Sequence, residues 1–129
     1  MNDRYLFKAK HIHILKNSHL DGIWVKGYLV DEKYIVSAED GCECLIDPQT
    51  ICQCTGLKDK NGNLIWENDF VQCGGKELVV WDERFASWCL IKEGWAYKHF
   101  FGEAQMPEDC EVVGNKFDNP ELLEECDTD

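Results

Sequence analysis

The sequence predicts a mainly β fold, a small antiparallel sheet or barrel-like domain that ends in a short C-terminal helix. Three observations carry that prediction. Short β-prone runs follow one another at close spacing between Arg4 and Phe117, and turn pairs such as Asn61-Gly62 and Asn68-Asp69 punctuate them. Only the closing "DNPELLEEC" has the chemistry of a helix start. With 129 residues and 44% hydrophobic content, the chain has the material for one core, so a single domain over 1–129 is expected, with a short helix and acidic tail at 118–129.

Taken in order, Arg4 to Ala9 reads as a strand, and His11 to Leu15 alternates polar and apolar residues at period two. Ile23 to Val30 is strongly β-prone, with Gly27 as a bulge or a point of close backbone approach. Lys33 to Ser37 is placed to pair with it across the Asp31-Glu32 corner. Further strands are expected at Cys42 to Ile46, Thr50 to Cys54, Asp69 to Cys73, Glu77 to Trp81, Phe85 to Ile91, Trp95 to Phe100 and Glu111 to Phe117. In the tail, Asn119 is the expected N-cap, Pro120 suits the first helical position, Glu121 favours the helix dipole, and Leu122 and Leu123 would dock the helix.

The most specific stretch is "CTGLKDKNGNLIWENDFV", Cys54 to Val71. Gly56 supplies backbone freedom, Asn61 and Gly62 both tolerate positive φ, and Leu64, Ile65 and Trp66 return the chain to the core. Asn68-Asp69 then makes a second turn into an apolar strand. Nothing in it cradles a phosphate. It reads as a turn module that locks successive segments of a small β fold.

A formal net charge of −12 opposes direct nucleic-acid binding, which depends on Lys and Arg displacing counterions from phosphates. An acidic surface attracts a basic partner instead, and can imitate the field of a nucleic acid towards a protein that binds one. Part of the charge lies in the tail "PELLEECDTD", where a solvated run needs no partner. No run is long and apolar enough to span a bilayer, and the N-terminus lacks the apolar core of a signal peptide. The expectation is a soluble protein of the cytoplasm, without membrane contact.

Eight cysteines are many for this length, and a cytosolic chain keeps them as thiols. Cys42, Cys44, Cys52 and Cys54 are the candidate metal ligands, with zinc the candidate ion. Their spacing is not C-x-x-C, and residues i and i+2 of a strand lie roughly 6.5 Å apart at the backbone. A hairpin with a three-residue loop at Asp47-Pro48-Gln49 would set Cys44 opposite Cys52 and Cys42 opposite Cys54; a four-residue loop would destroy the arrangement. His11 and His13 would share a strand face, and His19 and His99 stand alone; none completes a tetrahedral set.

No G-x-S-x-G, P-loop, G-x-G-x-x-G or H-E-x-x-H string occurs. Asp59, Glu67, Asp69, Asp82 and Glu83 offer carboxylates, but turn carboxylates ordinarily cap backbone groups. Cys89 with His99 would make a thiol–base pair only if folding joined them. The sequence predicts no catalysis.

"TICQCTGLKDKNGNLIWENDFV" resembles the signature of the YopX family of small proteins from bacteriophages and prophages. The opening "DRYLFKAKHI" and "GIWVKGYLV", the internal "VVWDERFASWCL" and the closing "CEVVGNKFDNPELLEE" resemble that family in the same order. Cys54 stands where the family usually has an aromatic residue, and Asn68 where it usually has glycine. The resemblance implies a mostly β domain encoded by a phage or an integrated element and acting in the bacterial host's cytoplasm, and it implies no reaction. The functional expectation is a protein-binding module for a host or phage protein, self-association included, with an acidic mimic of nucleic acid as its sharper variant. Trp24, Trp66, Trp81, Trp88 and Trp95 are its candidate anchors. The alternative is a small zinc protein built on the four cysteines.

Overall fold

The computed structural model describes residues 5–12, 22–72, 75–92, 97–101 and 106–122. The chain divides into two compact units, 1–54 and 55–129. Both are antiparallel and built from strands.

In the first unit, β1 (Phe7–Lys10), β2 (Trp24–Asp31), β3 (Tyr34–Ser37) and β4 (Glu43–Leu45) pair consecutively. The sheet then closes on itself. Just past β1, His11 bridges Ile46, the Ile12 N–H donates to the Leu45 carbonyl at 2.8 Å, and the Asp47 N–H donates to the Lys10 carbonyl at 2.9 Å. Both strand edges are thereby satisfied at that end, which is the barrel-like arrangement the sequence predicts. A short 3₁₀ turn, Pro48–Thr50, follows, opened by Asp47 accepting the Gln49 N–H. It feeds β5 (Cys52–Lys58), whose first residues pair with the other side of β1, Lys8 opposite Cys52. Ala9, Ile35 and Ile46 form the core, with Phe7, Val25, Leu29 and Ile51 packed around them.

Gly27 answers the expectation set for it. It pairs with Phe7 on one side and Ser37 on the other, and a Cβ there would collide with the Val36 carbonyl. The residue is required by close backbone approach, whereas the register shift of β2 on β3 lies further on, between Leu29 and Asp31.

In the second unit, β5 continues to Lys58 and pairs with β6 (Leu64–Trp66). β7 (Asp69–Gln72), β8 (Lys76–Asp82), β9 (Ser87–Lys92), β10 (Tyr97–Phe100) and β11 (Glu111–Asn115) form a sheet of order β10-β9-β8-β7-β11. A 3₁₀ turn at Pro107–Asp109 leads into β11. β7 and β8 are buried on both faces. Val71 and Val79 join Ile65, Leu90 and Cys110 in one cluster, while the alternating Phe70 and Leu78 form another with Val80 and Leu122. Central position explains why these strands read as near-continuous apolar runs.

The expected C-terminal helix is not supported. Among the described residues only Glu121 and Leu122 are α-helical, and 123–129 lie outside them. The predicted cap does other work: the Asn119 carbonyl accepts the Leu122 N–H at 3.0 Å, but its side-chain oxygen turns back to the Asn115 N–H at 3.2 Å. Asn115 in turn accepts the N–H groups of Phe117 and Asp118. The asparagines thus spend their acceptors on a tight exit from β11. Phe85, expected inside a strand, stands in the β8–β9 turn because Asp82 pairs with Ser87 and closes the hairpin there. Of the strand expected over 11–15, only His11 and Ile12 are described.

Candidate functional site

The signature stretch folds around the carboxylate of Asp59, which is only 4% exposed. Its Oδ1 accepts the N–H groups of Asn61 and Asn63, both at 2.9 Å, and its Oδ2 accepts that of Val112 at 3.0 Å. Burial pushes its pKa up, but the Val112, Asn63 and Asn61 N–H groups more than reverse this, and the acid is held below its ordinary value. The Lys60 N–H donates to the Cys110 carbonyl at 2.9 Å, so the turn occupies the outer side of β11 through both a donor and an acceptor. An edge strand offers such groups to any passing chain, and here the signature turn takes them up.

The second turn of the signature works the same way. Asn68 has φ 72°, the left-handed backbone, its N–H donates to the Val79 carbonyl, and its own carbonyl accepts the Lys116 N–H. Asp69 Oδ2 accepts the Trp66 N–H at 2.8 Å. At the first turn, Gly62 (φ 82°) is left-handed while Asn61, which tolerates that conformation, does not adopt it; Asp59 rather than a paired positive φ shapes that corner. In the sequence Asp59 is one of several turn carboxylates, and Val112 is not marked as its partner. The signal available was the Asp-x-Asn-x-Asn spacing, which lets one carboxylate reach N–H groups two and four residues on.

The hairpin that would gather the four candidate metal ligands does not form. β4 pairs with β3, setting Cys44 opposite Ile35, and β5 pairs with β1, setting Cys52 opposite Lys8. The intervening 3₁₀ turn redirects the chain, so Cys44 never meets Cys52 across a ladder. Cys52 and Cys54 are fully buried, while Cys42 is exposed beside the Asp40 turn and Cys44 is half-buried. A hydrogen bond that the Cys42 thiol donates to the Asp40 carboxylate raises it above its ordinary pKa, and burial raises that of Cys44. Among the described residues no group of three or more histidine, cysteine, aspartate or glutamate side chains is placed to hold a metal. His13 and His19 lie outside the described residues, and β-register sets Phe100, not His99, opposite Cys89.

Two surface features remain. The first is the β8–β9 hairpin. Trp81 and Trp88 sit opposite each other across the ladder, their rings 5.0 Å apart and edge to face at 66°. Trp81 is 42% exposed and Phe85, on the turn, 60% exposed, with the Arg84 guanidinium over the Phe85 ring. Asp82 Oδ1 accepts the N–H groups of Arg84 and Phe85, fixing the tip that carries these rings. Of the other candidate anchors, Trp66 is buried, Trp24 is half-buried under the ammonium groups of Lys8 and Lys10, and Trp95 lies outside the described residues.

The second feature is a cleft of about 610 Å³ in the first unit, between the start of β2 and the turn that follows β3. Ile23, Trp24, Val25, Lys26, Glu39 and Asp40 are among the residues that line it. No helix among the described residues is long and apolar enough to cross a membrane.

These features define a class: a mainly β protein in two units, whose most distinctive sequence is a fold-locking turn and whose exposed rings are mounted on a hairpin. The family model described as YopX protein matches residues 3–124, and the chain belongs to the YopX family. Among curated proteins no match is found.

Proposed function

We propose that this YopX-family chain is a non-enzymatic protein-binding module, encoded by a phage or prophage and acting on a host or phage protein in the bacterial cytoplasm. The observation that carries the reading is the β8–β9 hairpin, where Trp81 and Phe85 stay exposed on a turn that Asp82 holds rigid. Aromatic side chains bring large contact area at low entropic cost, and binding energy concentrates on such anchors. Among the described residues four carboxylates, Asp59, Asp69, Glu77 and Asp82, are buried against one ammonium group, that of Lys8, so the total charge overstates what the surface displays. That places the weight on aromatic contact, with negative charge steering a basic partner, rather than on imitation of a nucleic acid.

The test is capture from bacterial lysate over a salt titration, comparing the natural chain with a Trp81→Ala/Phe85→Ala variant that keeps the native circular dichroism. The expected result is a discrete partner retained at low salt by the natural chain and lost from the variant. Equal retention by both, or none by either, removes the hairpin from the account.

A further inference from the structure

We propose that Asn61, at the tip of the signature turn, is a site of spontaneous covalent modification: the Gly62 backbone nitrogen attacks its side-chain amide, water completes the conversion to an acid, and the product loosens the turn from β11. This chemistry is independent of the protein-binding reading. Of the asparagines at 61, 63, 68, 115 and 119 among the described residues, Asn61 alone precedes glycine. Glycine has no side chain to crowd its own amide, so its nitrogen is the most accessible nucleophile for such a ring closure. Asn119 precedes proline, whose nitrogen carries no proton to give up.

Asn61 and Gly62 are both exposed, and no heavy atom beyond the adjoining residues lies within 4 Å of where a Cβ on Gly62 would stand. A succinimide ring has room to form there without displacing a neighbour. The step balances without an oxidant. Solvent base takes the Gly62 N–H proton, the nitrogen forms a bond to Asn61 Cγ, and Cγ releases the amide nitrogen as ammonia. Water then opens the ring at either carbonyl and leaves aspartate or isoaspartate at 61.

Two hydrogen bonds set the rate. The Gly62 N–H donates to the Asp59 carbonyl at 3.0 Å, and Asn61 Nδ2 donates to Glu111 Oε2 at 3.3 Å. Both must open before nitrogen and Cγ reach attack distance, which slows the folded turn about tenfold against the unfolded chain. Turn contacts of this kind open locally while the sheet stays intact. Once formed, a carboxylate at 61 no longer donates to Glu111 and faces it with like charge. Isoaspartate also adds a methylene to the main chain ahead of Gly62, which displaces the Asn63 N–H from Asp59 Oδ1, 2.9 Å away in the natural turn. Asp59 is the residue that holds Val112, so the change reaches β11.

The experiment is mass-spectrometric peptide mapping of the full chain aged at neutral and at mildly alkaline pH, beside the same chain aged unfolded in guanidinium chloride. The expected result is amide-to-acid conversion at residue 61 ahead of Asn63, Asn68 and Asn115, faster at the higher pH, and about tenfold slower folded than unfolded. Equal rates in the two states overturn the proposal, and so does a folded chain that keeps its amide while the unfolded chain converts fully. This comparison needs no variant. In a folded Glu111→Ala chain, conversion is expected about threefold faster, because one of the two restraints is gone; an unchanged rate overturns the role given to Glu111. The converted chain, separated by anion exchange on its added charge, should show faster amide hydrogen exchange at Asn63 and Val112 than the natural chain. Unchanged exchange there overturns the link from Asn61 to β11.

Discussion

Asp59 Oδ2 accepts the backbone N–H of Val112 at 3.0 Å across 53 residues of sequence, and together with the Lys60 N–H on the Cys110 carbonyl it ties the signature turn to the edge strand β11. Asparagine in its place keeps one acceptor but points an amide nitrogen at either Val112 or the 61–63 turn. Asp59→Asn is therefore expected to cost about 2–3 kcal/mol, close to the cost of Asp59→Ala, because a buried donor is left facing a donor. Urea denaturation of both variants checks this; a loss below about 0.5 kcal/mol for Asp59→Asn counts against the role given to the carboxylate.

The same carboxyl group sets a pH dependence. Its folded pKa is depressed, so the contribution it makes is fully present above the ordinary carboxylate range and is lost as pH falls through the lowered folded value. Stability measured from pH 7 downward should decline below about pH 4, and the decline should be smaller in Asp59→Asn, which no longer titrates there. An identical acid slope in the two proteins would contradict the assignment.

Gly27 and Asn68 make opposite predictions about small substitutions. Gly27→Ala drives a methyl group into the Val36 carbonyl and is expected to cost at least about 2 kcal/mol, with β2 and β3 forced apart. Asn68→Gly relieves a left-handed residue and should be neutral or stabilising, while Asn68→Ala should cost about 1 kcal/mol. Thermal melts of the three variants separate the cases.

Under the protein-binding reading proposed above, Trp81 and Phe85 serve contact rather than stability. Replacing Phe85, 60% exposed, with alanine should change folding stability by less than about 1 kcal/mol while abolishing partner capture, because surface substitutions away from the core seldom cost more. Trp81→Ala should cost somewhat more, since it also removes the edge-to-face contact with Trp88. A Phe85→Ala protein that fails to fold would place that ring in the core instead.

For the cysteines, elemental analysis of protein purified without chelator should return less than about one-tenth equivalent of zinc, since a structural site needs four converging ligands and the β4 and β5 pairs are separated in the sheet. Stoichiometric zinc would require the strands to be arranged otherwise.

The strands were legible because β-prone runs such as Trp24 to Asp31 and Tyr34 to Ser37 are local signals. The turn residues were legible for the same reason: Gly62 and Asn68 are left-handed where the sequence marked corners. What could not be read is pairing. Nothing in "CECLIDPQTICQC" says that Pro48–Thr50 turns the chain from β4 to the far side of β1, and the cysteine hairpin failed on that long-range choice. Asp59 with Val112, and the cleft between β2 and the Glu39–Asp40 turn, arise from the same kind of distant pairing and leave no local trace.

The central claim is that the signature residues hold the fold together and that recognition resides elsewhere. It is tested most directly by amide hydrogen exchange and partner capture measured together on the natural chain and on Asp59→Asn. The account predicts faster exchange at Val112, Asn61 and Asn63 in the variant, with capture per folded molecule unchanged. Native exchange at those amides, together with lost capture, would show that the signature is itself the binding surface and would contradict the account.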